Sequence, residues 1–241
     1  MCERISSKAD KSQFLTGTPG NGLRIGYDCD CQKGNSAVLM ESCKMRVFLA
    51  GVACVGKTTV GARLADLLDC PFFDLDLEVE RFYGTPIERL QSRYLTSHSF
   101  RLAAPRALTH VLSQVESGSW VIALPPRGLI GSYWTVVKKT QDAIIVVLED
   151  VPENILKRIT FYDIDSRQIQ KTLTKREKGL YLRKIKGDIT YFSRSFQKAH
   201  MPVDITGCNA EEASRKVGNA LAMALSREQR QKQEQTPRST C

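Results

Sequence analysis

The chain has 241 residues, of which 42% are hydrophobic and 25% are charged, and its formal net charge is +9 at pH 7. This composition is typical of a globular protein, and it excludes collagen-like, mucin-like and wholly disordered chains. No apolar run reaches the roughly 18 residues that a membrane-spanning helix needs, and the N-terminus lacks the apolar core of a secretory signal. We therefore expect a cytoplasmic protein that makes no membrane contact.

Three segments with different patterns divide the chain. Residues 1–44 contain scattered Gly, Ser, Asp and Lys without an apolar period, which predicts a flexible N-terminal extension. Residues 45–225 alternate short apolar runs with amphipathic stretches, so they predict one α/β domain built on a central parallel sheet. Residues 226–241 have no apolar residue before the last position and predict a disordered C-terminal tail.

Within the α/β domain, the elements are predicted in chain order. Strands are predicted at 45–50, 70–74, 120–124, 143–148 and 203–206. Helices are predicted after the first strand, over 100–115 with a kink at Pro105, over 174–200, and around 217–225. The strands at 120–124 and 143–148 are apolar throughout, which indicates helices on both faces of the sheet and hence three layers.

The basic excess of the chain is concentrated in residues 153–200, which carry 12 basic and 5 acidic side chains. Such a segment attracts polyanions, either nucleotide phosphates or nucleic acid. It is also compatible with the solvated face of a long helix. The segment lacks the evenly spaced aromatic residues that single-strand binders use, so we do not expect nucleic acid as a partner.

Cysteines do not form a pattern that predicts a metal centre. The chain has eight of them, and without a signal peptide they are expected to be reduced thiols. Cys29, Cys31 and Cys43 come closest to a metal-ligand spacing, but they lack the second pair that a zinc site needs.

The segment GVACVGKT, between the first predicted strand and an amphipathic helix, matches the phosphate-binding pattern G-x-x-x-x-G-K-[ST] in full. Its glycines let backbone N–H groups converge on one anion, and the helix N-terminus adds partial positive charge. We expect Lys57 to contact the β- and γ-phosphates of ATP as a catalytic residue, and the Thr58 hydroxyl to bind Mg²⁺. The predicted nucleotide-binding residues here are Gly51, Val52, Ala53, Cys54, Val55, Gly56, Lys57, Thr58 and Thr59.

Two carboxylates, Asp74 and Asp76, close the second predicted strand, at the edge where open α/β sheets bind ligands. Their i, i+2 spacing in a strand predicts that both side chains point to the same side. One of them can serve the magnesium shell, and the other can orient an acceptor hydroxyl or accept its proton. The alternative is a pair of solvated acids in a β–α loop.

Several motifs stand in the same order as in one known family. They are the phosphate-binding loop, Phe73-Asp74-Leu-Asp76, Glu80, Gly84-Thr-Pro-Ile87 and Phe100-Arg101. Through them the chain resembles the shikimate kinases over roughly residues 45–225. The resemblance implies the P-loop nucleoside-monophosphate-kinase fold, and transfer of the γ-phosphate of ATP to the 3-hydroxyl of shikimate with Mg²⁺.

The same resemblance implies roles for individual residues. Asp74 is expected in the water shell of Mg²⁺, Asp76 on the acceptor hydroxyl, and Arg101 on the acceptor carboxylate, for which a guanidinium fork is suited. Arg158 resembles the arginine that packs on adenine, and Arg167 the arginine that a mobile lid presents to the phosphates. Residues 203–208 resemble the loop beside adenine.

The departures from the family's pattern concern mainly the acceptor side. The Gly-Gly-Gly turn after the third motif strand is Pro125-Pro126-Arg127-Gly128 here, so amide donors are lost and Arg127 offers a guanidinium to the acceptor in their place. Gln168 replaces the proline that usually follows the lid arginine, and Cys54 replaces a frequent loop glycine. The family's late arginine has four candidates: Arg176, Arg183, Lys186 and Arg194.

Two functions fit these residues. The first is an ATP-dependent phosphotransferase, expected as a monomer, that acts on shikimate or another small anionic hydroxy acid. The second is a nucleotide-binding regulatory or partner protein of the same fold without kinase turnover. Asp76 and Arg101 favour the first function, whereas Pro125 and Pro126 favour the second.

Overall fold

The structure, a computed structural model, describes residues 44–94, 100, 102–115 and 118–235, with side chains as far as residue 227. Three predictions lie outside this range. They are the N-terminal extension apart from Lys44, the cysteine group Cys29, Cys31 and Cys43, and the acceptor ligand Arg101.

A parallel sheet forms the centre of the described chain. The strands are β1 (Arg46–Ala50), β2 (Phe72–Asp74), β3 (Trp120–Ala123), β4 (Ala143–Glu149), β5 (Phe161–Tyr162), β6 (Gln168–Ile169) and β7 (Met201–Asp204). Five of them form a sheet in the order β2-β3-β1-β4-β7, and β5 and β6 form a separate antiparallel hairpin. Every pairing in the five-stranded sheet is parallel, as the alternation of apolar runs and helical stretches predicts.

Helices connect these strands. They are α1 (Lys57–Leu67), α2 (Leu75–Tyr83), α3 (Ile87–Arg93), α4 (Pro105–Gln114), α5 (Gly131–Val137), α6 (Pro152–Lys157), α7 (Lys175–Phe196) and α8 (Ala210–Gln235). None of the described helices is long and apolar enough to cross a lipid bilayer.

The core lies on both faces of the sheet because side chains of successive strand residues alternate between them. On one face, Val47 and Leu49 of β1 pack in a cluster with Leu64 of α1 and Leu221 of α8. On the other face, Phe48 packs with residues of β3, α4 and α5, and its ring centroid lies 4.8 Å from that of Trp120. The three-layer α/β fold predicted from the sequence is therefore confirmed.

Pro105 interrupts the helical stretch over 100–115, as the sequence predicts: residues 100, 102 and 103 are helical, Ala104 is in a turn, and α4 begins at Pro105. The proline occupies the first turn of α4, preceded by Ala104 in the right-handed helical region. At that position the missing N–H is one that the helix leaves unpaired anyway, and the fixed φ of proline suits the first turn. A proline within an apolar helical period can thus mark a helix start as well as a kink.

The C-terminal helix extends further than predicted. The sequence predicts a disordered tail from residue 226, whereas α8 continues to Gln235. Residues 226–235 are mostly Arg, Gln, Lys and Glu, which are good helix formers even without an apolar face. Once Val217 and Leu221 fix the preceding turns in the core, each added residue extends an existing helix and needs no new nucleus.

His200 connects the segment after α7 to strand β4, and this contact yields a testable prediction. Its backbone N–H donates to the Ile145 carbonyl at 2.9 Å, and its Nδ1 accepts the Ile145 N–H at 2.8 Å. Ile145 is only 4% exposed, so removing the ring leaves its N–H without an acceptor. We expect His200→Ala to lower the free energy of unfolding by about 1–3 kcal/mol in urea denaturation. His200→Asn keeps an acceptor oxygen and should lose less; equal midpoints for the parent and the alanine variant would contradict the prediction.

Candidate active site

The loop between β1 and α1 has a backbone that can only be built with glycine at its first position. Gly51 has φ 142°, and a Cβ there would lie 2.8 Å from the Leu148 carbonyl oxygen. At the other end, Gly56 precedes α1 with φ 113° and no side chain caps the helix. The first-turn N–H groups of α1 therefore face the loop without a capping oxygen, an arrangement that binds phosphate.

Lys57 places its ammonium inside this loop. The side chain is buried, and Nζ donates to the carbonyls of Gly51 at 3.0 Å and Val52 at 2.8 Å. Burial lowers the pKa of the Lys57 ammonium, while the nearby carboxylates of Asp76 and Asp74 oppose that shift. A bound phosphate would offer this ammonium a charged acceptor in place of two neutral carbonyls.

Asp74 connects helix α1 to helix α2 through hydrogen bonds. Its Oδ2 accepts the Thr58 hydroxyl at 2.6 Å, and its Oδ1 accepts the Asp76 N–H at 3.0 Å as the N-cap of α2. The prediction that Asp74 and Asp76 both belong to the strand and point to the same side is wrong. The strand ends at Asp74, and Asp76 lies in the first turn of α2. Asp74 and Thr58 nevertheless bring together a carboxylate and a hydroxyl oxygen, a donor set that fits Mg²⁺.

Asp76 has an aromatic neighbour that the sequence did not reveal. Burial raises the pKa of the Tyr133 hydroxyl far above its usual range, and the charge of Asp76 and the phenol of Tyr83 contribute further. Tyr133 belongs to α5, a helix that was not predicted because it spans only Gly131–Val137. The charge of Asp76 therefore acts on both the loop lysine and the half-buried phenol of Tyr133.

Arg158 contacts the loop from the opposite side. It follows α6, donates to the Val55 carbonyl at 2.6 Å, and forms an ion pair with Asp150. Burial alone would raise the pKa of Asp150. Hydrogen bonds from the Asn154 and Arg158 side chains and from the Val151 N–H outweigh the effect of burial, so the pKa is lowered. The carboxylate is thus held charged opposite Arg158. The structure brings Arg158 to the loop and adds Asp150 as the residue that fixes it; its contact with adenine stays a prediction.

Helix α7 lies beside the loop between β1 and α1. A cavity of about 130 Å³ separates the helix from the loop and is lined by Val52, Ala53, Ile155, Lys184, Ile185 and Asp188. Burial raises the pKa of Asp188, and Lys184 opposes that shift. The four candidates for the late arginine, Arg176, Arg183, Lys186 and Arg194, are exposed on α7 and do not line the cavity. The cation that α7 places here is Lys184, which the sequence analysis missed because basic residues are abundant along the helix.

Arg127 is held against α7. Its guanidinium donates to the Tyr191 hydroxyl at 3.2 Å and lies 5.7 Å from the centroid of that ring. Both residues border the turn after β3, where Gly128 donates to the Pro125 carbonyl at 2.8 Å. The predicted acceptor ligand is therefore present at the end of β3, with a tyrosine partner that no sequence motif indicated.

Arg167 lies in the turn of the β5–β6 hairpin. Its N–H donates to Asp163 Oδ1 at 2.8 Å, and its carbonyl accepts the Asp163 N–H at 2.9 Å. The side chain is exposed, and its guanidinium makes no hydrogen bond or ion pair with any residue that the structure describes. The hairpin thus fixes the backbone of Arg167 and leaves its charge available.

The phosphate-binding loop, the sheet order and the paired acids of α2 define a P-loop kinase fold. A model of the shikimate kinase family matches residues 53–196, more than half of the chain. The chain therefore belongs to the shikimate kinase family.

Known relatives show how far the similarity extends. The chain is 31% identical over 121 residues to a shikimate kinase of Desulforudis audaxviator, a match that covers 47% of this chain and 57% of that protein. It is 44% identical over 120 residues to a bifunctional shikimate kinase/3-dehydroquinate synthase of Thermotoga maritima, covering 48% of this chain and 22% of that protein. The chain thus spans less than two thirds of these relatives.

Solved structures show the same fold at greater length. A shikimate kinase from Bacteroides thetaiotaomicron superposes with a TM-score of 0.60 at 20% identity, over 74% of this chain and 99% of that one. A shikimate kinase from Acinetobacter baumannii in complex with shikimate superposes with a TM-score of 0.58 at 23% identity. This match covers 79% of this chain and 97% of that one.

The thiol inside the loop provides a test of its burial. Burial raises the pKa of Cys54 to about 11, although Lys57 opposes the shift. At pH 8 only about one such thiol in a thousand is ionised, and the thiolate is the reactive form. We expect iodoacetamide to label Cys54 roughly a hundredfold more slowly than glutathione, measured by peptide mass spectrometry. Unfolding in urea should restore the labelling rate; rapid labelling of the folded protein would refute the buried geometry.

Proposed function

We propose that the protein is an ATP-dependent phosphotransferase that transfers the γ-phosphate to a hydroxyl of shikimate or a similar small hydroxy acid. The observation that carries the proposal is the group formed by Lys57, Thr58, Asp74 and Asp76. These residues support the proposal because an ammonium, a hydroxyl and two carboxylates lie close together at the ends of β1 and β2. Membership of the shikimate kinase family supports the same reaction.

On the nucleotide side, each described residue has a distinct task. The loop from Gly51 to Gly56 and the N-terminus of α1 bind the phosphates, and Lys57 neutralises charge that develops on them. Thr58 and Asp74 would hold Mg²⁺, which would neutralise further charge on the phosphates. Arg158, fixed by Asp150, provides a flat cation for the adenine.

On the acceptor side, Asp76 orients the hydroxyl and accepts its proton as the oxygen bonds to the γ-phosphorus and the bond to ADP breaks. Positioning of this kind supplies most of the catalysis in phosphoryl transfer. Arg127 and Arg101 offer guanidinium groups to the anionic end of the acceptor. Arg167 of the hairpin would bring its charge to the transferred phosphoryl group.

The proposal predicts a loss of nucleotide affinity in Lys57→Met, which removes the charge and retains an apolar chain of similar length. We expect ATP binding to weaken by about 2–3 kcal/mol, or roughly 30- to 150-fold, in calorimetry. The exposed Lys139, replaced by Met, is the matched control and should bind ATP as the parent does. Unaltered ATP affinity in Lys57→Met would contradict the assignment of the loop.

Asp76→Asn separates catalysis from nucleotide binding. The amide still fits the first turn of α2 but cannot accept a proton, so we expect turnover to fall roughly 100-fold or more, with ATP affinity little changed. The assay couples ADP release to a panel of hydroxy acids that includes shikimate, and Asp66→Asn, an exposed acid of α1, is the control. Tight ATP binding by a parent that turns over no acid of the panel would favour the regulatory alternative instead.

A further inference from the structure

The β5–β6 hairpin, which carries Arg167, is docked on helices α2 and α3. Asp165 forms an ion pair with Arg89 of α3 at 2.5 Å, and Ser166 reaches Glu80 of α2 and Glu88 of α3. The ion pair is largely exposed, with 51% and 33% of its side chains accessible, so it adds little to stability. The contact of Ser166 is the buried one, and it therefore determines how firmly the hairpin is held.

Ser166 makes this contact in a conformation that its own residue type disfavours. Its Oγ lies 2.6 Å from Glu80 Oε1 and 2.6 Å from Glu88 Oε2, so the hydroxyl can donate to either carboxylate. The residue is only 5% exposed and has φ 56°, in the left-handed region. A non-glycine residue persists there when surrounding contacts fix it. The two carboxylates supply such contacts.

The backbone of the turn connects this contact rigidly to Arg167. Asp163 Oδ1 accepts the N–H of Asp165 at 2.9 Å and that of Arg167 at 2.8 Å, and Ser166 donates its N–H to the Asp163 carbonyl at 3.1 Å. A displacement of Ser166 must therefore move Arg167 with it. Glu80 lies one turn after Asp76 on α2, so the contact also connects the hairpin to the helix whose first turn carries the proposed acceptor carboxylate.

We propose that Ser166 is a positioning residue: its hydroxyl, held by Glu80 and Glu88, fixes the hairpin on α2 and α3 and thereby sets the position from which Arg167 acts. The catalytic consequence rests on the proposed function, because it assumes that Arg167 serves phosphoryl transfer. The docking of the hairpin does not depend on that function, and it can be measured without turnover.

The first experiment measures hydrogen exchange in the full chain without substrates. We expect Ser166→Ala to accelerate exchange in residues 161–169 by roughly five- to tenfold, the equivalent of one lost hydrogen bond, and to leave the P-loop segment unchanged. Ser166→Gly removes the same hydroxyl but accommodates φ 56°, so it separates the contact from the strain and should also exchange faster. Ser193→Ala, an exposed serine of α7, is the matched control. Parent-like exchange in both Ser166 variants would overturn the proposal.

The second experiment asks whether Ser166 acts through Arg167. We expect Ser166→Ala to lower kcat several-fold with the KM for ATP unchanged, and to have no further effect on kcat in an Arg167→Ala background. Equal effects of Ser166→Ala in both backgrounds would show that it acts by another route and would overturn the positioning role. A parent that turns over no hydroxy acid would refute the proposed function, and exchange at the Arg167 amide would then still decide whether Ser166 fixes the hairpin.

Discussion

The hydrogen bond from the Thr58 hydroxyl to Asp74 is the interaction on which the site depends. It joins the first turn of α1, which carries the phosphate-binding lysine, to the end of β2 at 2.6 Å. The other oxygen of the same carboxylate caps α2 and so fixes the position of Asp76 in the first turn of that helix. One buried side chain therefore sets the distance between the two halves of the proposed reaction, because neither helix can shift without breaking a charge-assisted hydrogen bond.

Burial in this region sets the electrostatics of the loop. Desolvation lowers the pKa of Lys57 and raises that of Cys54 to about 11, so it disfavours the charged form of both. Asp76 and Asp74 oppose the shift at Lys57, and Lys57 and Arg158 oppose the shift at Cys54, but burial outweighs these charges in both cases. The thiol of the loop therefore stays neutral at pH 8. The same acids that would serve magnesium and the acceptor also favour the charged form of the lysine.

The loop between β1 and α1, the proposed nucleotide half of the site, could be predicted as a structure because its residues are close together in sequence and its geometry is local. A glycine with φ 142°, a helix start and a lysine at fixed spacing specify the loop without reference to the rest of the chain. The short helices α3, α5 and α6 were not predicted, since six or seven residues are too few to show a period. The sequence did not indicate Tyr133, Lys184 or Tyr191 for a related reason. Their neighbours at the site are far away in sequence, and a local motif cannot predict contacts of that kind.

The turn after β3 would serve the proposed acceptor without the three glycines that the resemblance leads us to expect there. Prolines remove the backbone donors after β3, but they also stiffen the chain just before Arg127. Stiffening matters because a guanidinium on a flexible turn loses conformational freedom whenever it binds an anion. Tyr191 limits that freedom further by accepting a hydrogen bond and offering its ring to the cation. A side chain held in this way can replace backbone amides as an anion ligand, at the cost of a bulkier group in the acceptor space. Under the proposed function, acceptor size, more than acceptor charge, is therefore the property that we expect this turn to constrain.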